Sequence, residues 1–241
     1  MIVQASLNGA RDTGFHPNLP IRVEQIVESA LAVIRAGANE LHLHVRDIWA
    51  DESLEPEAVN LIVGELRNAP PGTLIGISTG GWIENDDVRR LEFIDAWRNL
   101  PDHASVNFEE TNAVDVGLAL HRRGIGIEAG LSSIDDADKL IESPLAPLIL
   151  RVLVEPDLQD SDRAMAVAKG IMDRLSDSPH RKPILLHGIN ETAWPFIREA
   201  FRTRCSTRIG FEDTKFLPDG TEARSNAELI AAALEMKRTL T

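Results

Sequence analysis

The stretch Leu41-His42-Leu43-His44-Val45-Arg46-Asp47 decides how the chain is read. Successive side chains of a strand point to opposite faces, so Leu41, Leu43 and Val45 share one side and His42 and His44 the other. In a barrel the aliphatic side meets the surrounding helices and the imidazoles turn inward. Two imidazoles two residues apart can share one cation. Near the other end of the chain, Arg208-Ile209-Gly210-Phe211-Glu212-Asp213 repeats the alternation and turns Arg208, Gly210 and Glu212 inward.

Working outward from these segments, short runs rich in Val, Ile and Leu recur at residues 2–7, 40–45, 74–78, 104–108, 124–127, 148–154, 183–187 and 207–211. Stretches of helical periodicity separate them, the pattern of repeated βα units around a buried parallel sheet. The first such stretch sets Val23, Ile26, Val27, Ala30 and Ile34 on one stripe and stops at Gly37, as an amphipathic helix with a glycine cap does. The last helix is expected over 226–240. No linker or shift of composition interrupts the alternation, so the chain is expected to form an α/β fold of one domain over 1–241, a (β/α)8 TIM barrel. An open doubly wound sheet would want a phosphate-binding glycine fingerprint after the first strand, and Asn8-Gly9-Ala10-Arg11 does not supply one.

The 241 residues carry 25 Lys and Arg against 38 Asp and Glu, a formal net charge of -13, which argues against nucleic acid as a partner. The N-terminal stretch has no basic leader followed by a long apolar run, and no stretch suits a bilayer span, so no membrane is expected and the protein is read as cytoplasmic. Its one cysteine, Cys205, excludes an internal disulfide framework and leaves histidines and carboxylates as metal ligands.

Barrel enzymes place their chemistry at the C-terminal ends of the strands. Here each run ends on a polar residue: Asn8, His44, Ser78, Asn107, Glu128, Glu155, His187 and Glu212. The eighth strand neighbours the first and lies near the second, so Glu212 can join His42 and His44 in a His2Glu set with one open position. That is the arrangement of a catalytic zinc. Two hydrogen-bonded core histidines and an Arg208–Glu212 ion pair are the alternative reading of the same residues. Ser78-Thr79-Gly80-Gly81 offers backbone N–H groups and hydroxyls to a carboxylate. Ser105 and Asn107 share a strand face and add donors. Glu128, Glu155 and Asp213 are candidate bases, with Asp213 next to a proposed ligand, while Arg11 and His16 read as residues of a long first loop.

With these residues in view, the chain resembles the beta-keto acid cleavage enzymes, whose best-described members act on 3-keto-5-aminohexanoate. The resemblance runs end to end, through Asn8-Gly9-Ala10, 41–47, 78–81, Ser105-Val106-Asn107-Phe108, Gly126-Ile127-Glu128 and 208–213. It implies a zinc-dependent barrel, another divalent metal being the variant, that takes a beta-keto acid and acetyl-CoA and returns acetoacetate plus a new acyl-CoA. It further implies zinc on His42, His44 and Glu212, and keto acid at Ser78, Gly81, Ser105 and Asn107, beside which Asn8 is placed. Arg208, Glu128 and Asp213 then assist the chemistry. A homo-oligomer, dimer or tetramer, is expected. Arg11 stands where a glutamate follows the first strand in well-studied members, which suits a substrate lacking a terminal amine. The chain is also shorter than typical members, implying a coenzyme A surface that is reduced or shared with a neighbouring subunit.

In this reading a cation on the 3-keto oxygen and carboxylate acidifies C2, Asp213 moves the C2 proton and Arg208 orients it. The rivals are a zinc hydrolase, a metal-dependent aldolase or lyase on a small keto acid, and a non-catalytic metal-binding barrel. Hydrolases of the amidohydrolase type carry His-x-His on the first strand with a later inward lysine; this chain has the pair on the second run. Lys215, the only lysine close to a strand end, falls in a loop, which disfavours Schiff-base chemistry.

Overall fold

The computed structural model describes residues 1–68 and 72–240. Strands and helices alternate through β1 (Val3–Ser6), α1 (Val23–Ala36), β2 (Glu40–Leu43), α2 (Pro56–Arg67), β3 (Leu74–Ser78), α3 (Asp87–Ala96), β4 (His103–Asn107) and α4 (Ala113–Arg122). They continue through β5 (Gly126–Leu131), α5 (Ile134–Glu142), β6 (Arg151–Val154), α6 (Ser161–Ser176), β7 (Ile184–Leu186), α7 (Ala193–Thr203), β8 (Ser206–Ile209) and α8 (Asn226–Leu240). All strand pairs are parallel and the sheet closes between β1 and β8, where Gln4 sits opposite both Glu40 and Arg208. The expected (β/α)8 TIM barrel is what the chain forms. No helix among the described residues is long and apolar enough to cross a membrane.

The alternation of the strands explains the closure. Ala5, Leu41, Leu43, Ile75, Ile77, Ala104, Val106, Ile127 and Val152 are all buried in one apolar cluster with Ile26, Ala30 and Val33 of α1. Burying a Leu, Ile or Val side chain is worth roughly 1.5–3 kcal/mol, so this packing against the helices carries the barrel. α1 ends as its sequence requires: Gly37 takes φ 108° and its N–H returns to Ile34.

The interior, by contrast, is polar. Arg151 Nε donates to Glu128 Oε1 at 2.5 Å and its Nη2 donates to Glu40, which also accepts from Gln4 Nε2 at 2.9 Å. The His103 ring lies against Gly76, where an added Cβ would come within 2.6 and 2.8 Å of ring carbons. These residues fill the base of the barrel and leave its C-terminal mouth to the site.

Several strand boundaries differ from those expected, and two differences matter. β5 runs on to Leu131, so its last inward positions are Gly130 and beyond, and Glu128 lies mid-strand in the ion cluster rather than at a strand end. β2 stops at Leu43 because the backbone of His44 leaves the ladder for the Asn8 side chain. Asn8 Oδ1 accepts from His44 N at 2.9 Å and Asn8 Nδ2 donates to His44 O at 3.0 Å.

Candidate metal centre and substrate pocket

At the mouth of the barrel His42 Nε2 stands 3.6 Å from Glu212 Oε2, and His44 Nε2 stands 3.7 Å from Glu212 Oε1. The three ligand atoms lie within 4.8 Å of one another, and all three side chains are buried. Ligands about 2.0–2.2 Å from a tetrahedral zinc are about 3.4 Å apart, close to this spacing. Two further observations favour a cation. Glu212 Oε2 is buried with no hydrogen-bond partner among the described residues, a costly state for a carboxylate oxygen. Burial, with Arg208 and His44 adding to it, holds the His42 imidazole well below its usual pKa and therefore neutral, as a ligand must be. The donor set fits zinc.

Glu212 is positioned from several sides. Gly210 packs so closely on the carbonyl of Ser6 that a Cβ there would overlap it, drawing the segment after β8 against β1. Arg11 Nε donates to Glu212 O at 2.9 Å and Arg11 Nη2 to Asp213 O at 3.1 Å, so the first loop clamps the ligand's backbone. Arg208 Nη2 donates to Glu212 Oε1 at 2.8 Å; the ion pair and the candidate metal set therefore coexist. Nε and Nη1 of Arg208 have no partner among the described residues, although the side chain is only 5% exposed and lines the cavity.

A cavity of about 390 Å³ opens above the triad, walled by Ser78, Ser105 and Asn107 on one side and Arg11, Glu155 and His187 on others. Three of the expected substrate contacts thus face it. Gly81 and Asn8 do not line it: Gly81 N donates to Glu110 Oε1 at 2.9 Å, and Asn8 clips His44. Glu128 and Asp213 also stand off the cavity wall. Glu128 is fully buried beneath it; burial opposes its ionisation, yet Arg151 and His103 hold its pKa below the usual range. Asp213 is fully buried too, accepting from Ser6 Oγ and pairing with His187 Nε2 at 2.7 Å. Burial raises the Asp213 pKa, but His187, Arg208 and Ser6 outweigh it and keep the carboxylate ionised. His187 Nδ1 reaches Glu155 Oε2 at 3.1 Å, and Arg208 is 3.6 Å from the same oxygen. Desolvation and Arg208 press the His187 pKa down, while its two carboxylate partners push it up to about 9.

The sequence singled out Glu155 as a candidate base and His187 only as a strand end. Two other residues of the site, Glu52 and Trp82, carry no local signal. Glu52 accepts from His44 Nδ1, and Trp82 stacks on the His44 ring and donates its Nε1–H to Glu52 at 3.1 Å. Gly80 admits the Trp82 ring, whose carbon a Cβ at that position would meet at 2.6 Å. His16, in the first loop, is buried against Phe211 with ring centroids 4.2 Å apart. Lys215 pairs with Glu222 at 3.2 Å, away from the cavity lining.

Against known proteins, residues 1–149 and 146–241 match the family described as beta-keto acid cleavage enzyme. A 3-keto-5-aminohexanoate cleavage enzyme of Acetoanaerobium sticklandii is 25% identical over 258 residues, covering 99% of this chain and 92% of the relative. A 3-oxoadipate:acetyl-CoA acetyltransferase of Cupriavidus necator is 38% identical over 79 residues, 33% of this chain and 27% of that protein. Among solved structures, the ternary complex of ObcA with a C4-CoA adduct and oxalate superposes with a TM-score of 0.71 at 17% identity. The match covers 91% of this chain and 63% of that one, and at this identity it speaks for the fold.

Proposed function

The chain belongs to the beta-keto acid cleavage enzyme family, and from that premise we propose that it condenses a beta-keto acid with acetyl-CoA to give acetoacetate and a new acyl-CoA. The observation that carries this reading is the buried Glu212 carboxylate facing His42 through Oε2 and His44 through Oε1, beneath a cavity lined by Arg208, with Oε2 and the Nε and Nη1 of Arg208 lacking partners among the described residues. His42, His44 and Glu212 would hold the divalent cation, zinc by donor chemistry. When bound, the cation supplies Lewis acidity that acidifies C2 of the keto acid and offsets the charge left by C–C cleavage.

The protein's own groups do the rest. Nε and Nη1 of Arg208 receive the substrate's anionic end, and Ser78, Ser105 and Asn107 orient it from the facing strands. Asp213 is the resting place of the C2 proton. Its carboxylate connects to the cavity wall along the hydrogen-bonded line Glu155–His187–Asp213, and the imidazolium of His187 offsets negative charge developing on the substrate. Glu128 supports the site from below through Arg151, without touching substrate. Gly81 and Asn8 act likewise through Glu110 and His44. The 3-keto-5-aminohexanoate cleavage enzyme and the 3-oxoadipate:acetyl-CoA acetyltransferase among the relatives point to the same chemistry. We assign the protein to the cytoplasm as a homo-oligomer.

The reaction exchanges acyl groups: the acyl part of the keto acid leaves on coenzyme A, and the acetyl group joins the C1–C2 fragment. Acetyl-CoA labelled with carbon-13 in its acetyl group should therefore give acetoacetate labelled at C3 and C4 alone, with one acyl-CoA per acetoacetate. Labelled acetate with no acetoacetate, or keto acid consumed without coenzyme A turnover, would assign the site to hydrolysis instead.

A further inference from the structure

Beyond His44 the chain turns back on itself in a loop closed by an antiparallel bridge between Arg46 and Glu52. Asp47 Oδ1 accepts from Trp49 N at 2.8 Å and Asp51 N at 3.0 Å. The Arg46 guanidinium donates to Ala50 O at 3.1 Å, Gly9 O at 2.5 Å and Arg11 O at 3.0 Å. None of these bonds uses the Glu52 side chain, so the loop holds itself. The Glu52 carboxylate instead turns inward, only 14% exposed, with Oε1 on His44 Nδ1 and Oε2 receiving Trp82 Nε1–H at 3.1 Å. The Trp82 ring completes the enclosure, stacked on His44 with ring centroids 6.2 Å apart and planes 29° apart.

We infer that Glu52 is a positioning residue for the metal centre: it orients His44, with Trp82 as its second anchor, so that Nε2 presents its lone pair to the cation. An imidazole that gives its Nδ1–H to a carboxylate must keep its lone pair on Nε2, and in His44 that nitrogen faces Glu212 at 3.7 Å. The two imidazoles are unequal in this respect. Nδ1 of His42 is buried without a hydrogen-bond partner among the described residues, so His44 carries the directed support. Loss of such an outer partner typically costs about 10–100-fold in metal affinity. The inference rests on the metal reading given above, but its consequence is read from binding and spectra, independently of turnover.

The test uses the full chain stripped of metal and titrated with zinc against a competing chelator, and separately with cobalt, whose visible spectrum reports ligand geometry. Glu52→Ala should bind zinc about 10–100-fold more weakly than wild type and shift the cobalt bands. Glu52→Gln keeps one acceptor oxygen and should recover part of the affinity. Trp82→Phe keeps the stack, loses the N–H donor and should show a smaller loss. Melting of metal-free Glu52→Ala should match wild type, because the loop is closed by other groups. Wild-type zinc affinity and cobalt bands in both Glu52 variants would overturn the inference. So would an unfolded Glu52→Ala beside a Glu52→Gln of wild-type affinity, since Glu52 would then serve the fold. A wild-type protein that takes up neither metal would overturn the centre itself, and this inference with it.

Discussion

Replacing Gly9 by alanine tests how β1 and the metal centre are joined. Gly9 adopts φ +55°, a left-handed conformation that costs an alanine about 1–2 kcal/mol. A Cβ on Gly9 would also lie 2.9 Å from Glu212 Cβ, 3.1 Å from Cδ and closer still to Cγ. Ordinary contact begins near 3.4 Å, so the Glu212 side chain must retreat by more than 0.5 Å, the difference between 2.9 and 3.4 Å. Overpacking of this kind typically costs about 1–3 kcal/mol. Metal-free Gly9→Ala should therefore be less stable than wild type by about 2–5 kcal/mol, measured by urea unfolding. Because the displaced side chain is a proposed ligand, zinc affinity by chelator competition should fall about 10–100-fold. Turnover should drop by up to about 10²-fold, the usual consequence of misplacing a catalytic group by about 1 Å. Stability within about 0.5 kcal/mol of wild type together with undiminished zinc affinity would refute the reasoning.

Asp213→Asn should lower turnover about 10²- to 10⁴-fold with zinc content intact, and should slow exchange of the substrate's C2 protons in deuterium oxide without acetyl-CoA; wild-type exchange would remove Asp213 from proton transfer. Glu128→Gln breaks a fully buried ion pair and should destabilise the protein by about 3–5 kcal/mol near neutrality. Since the folded-state pKa of Glu128 is depressed, that deficit should be complete above pH 4.5 and shrink as the pH falls through the lowered value; a deficit independent of pH would count against it. His187 has the opposite sign. Its rise from 6.5 to about 9 corresponds to on the order of 3 kcal/mol in the metal-free protein, present below pH 6.5 and lost as the pH climbs through about 9. Thermal melts of wild type and His187→Asn should converge over that interval, and parallel curves would refute the assignment.

The barrel was legible because β-strand periodicity is local. Leu41, Leu43 and Val45 had to face one way and His42 and His44 the other, and the same rule placed Arg208 inward. What escaped the sequence depends on contacts between distant segments. Gly81 looked free to bind an anion because nothing nearby shows that Glu110, 29 residues on, takes its N–H. Asn8 looked like a substrate contact, and only the closed sheet reveals it clipping His44, 36 residues away. The apolar run stops at Ile127 in the sequence, which makes Glu128 read as a strand end. Gly130 disguised the rest of β5; a Cβ there would meet Asn107 Oδ1 at 2.9 Å and overlap Glu155, so the small residue makes room for polar side chains of neighbouring strands. Glu52 and Trp82 sit in loops that follow different strands and meet only over His44.

The claim on which the rest depends is that His42, His44 and Glu212 hold the cation that runs the exchange between beta-keto acid and acetyl-CoA. Metal-free protein titrated with zinc, with bound metal and acetoacetate formation followed together, tests it most directly. Activity should rise in step with zinc to one ion per chain, and the His42→Ala, His44→Ala double variant should remain folded with neither metal nor activity. Full metal content in that double variant, or full acetoacetate production by the metal-free wild type, would contradict it.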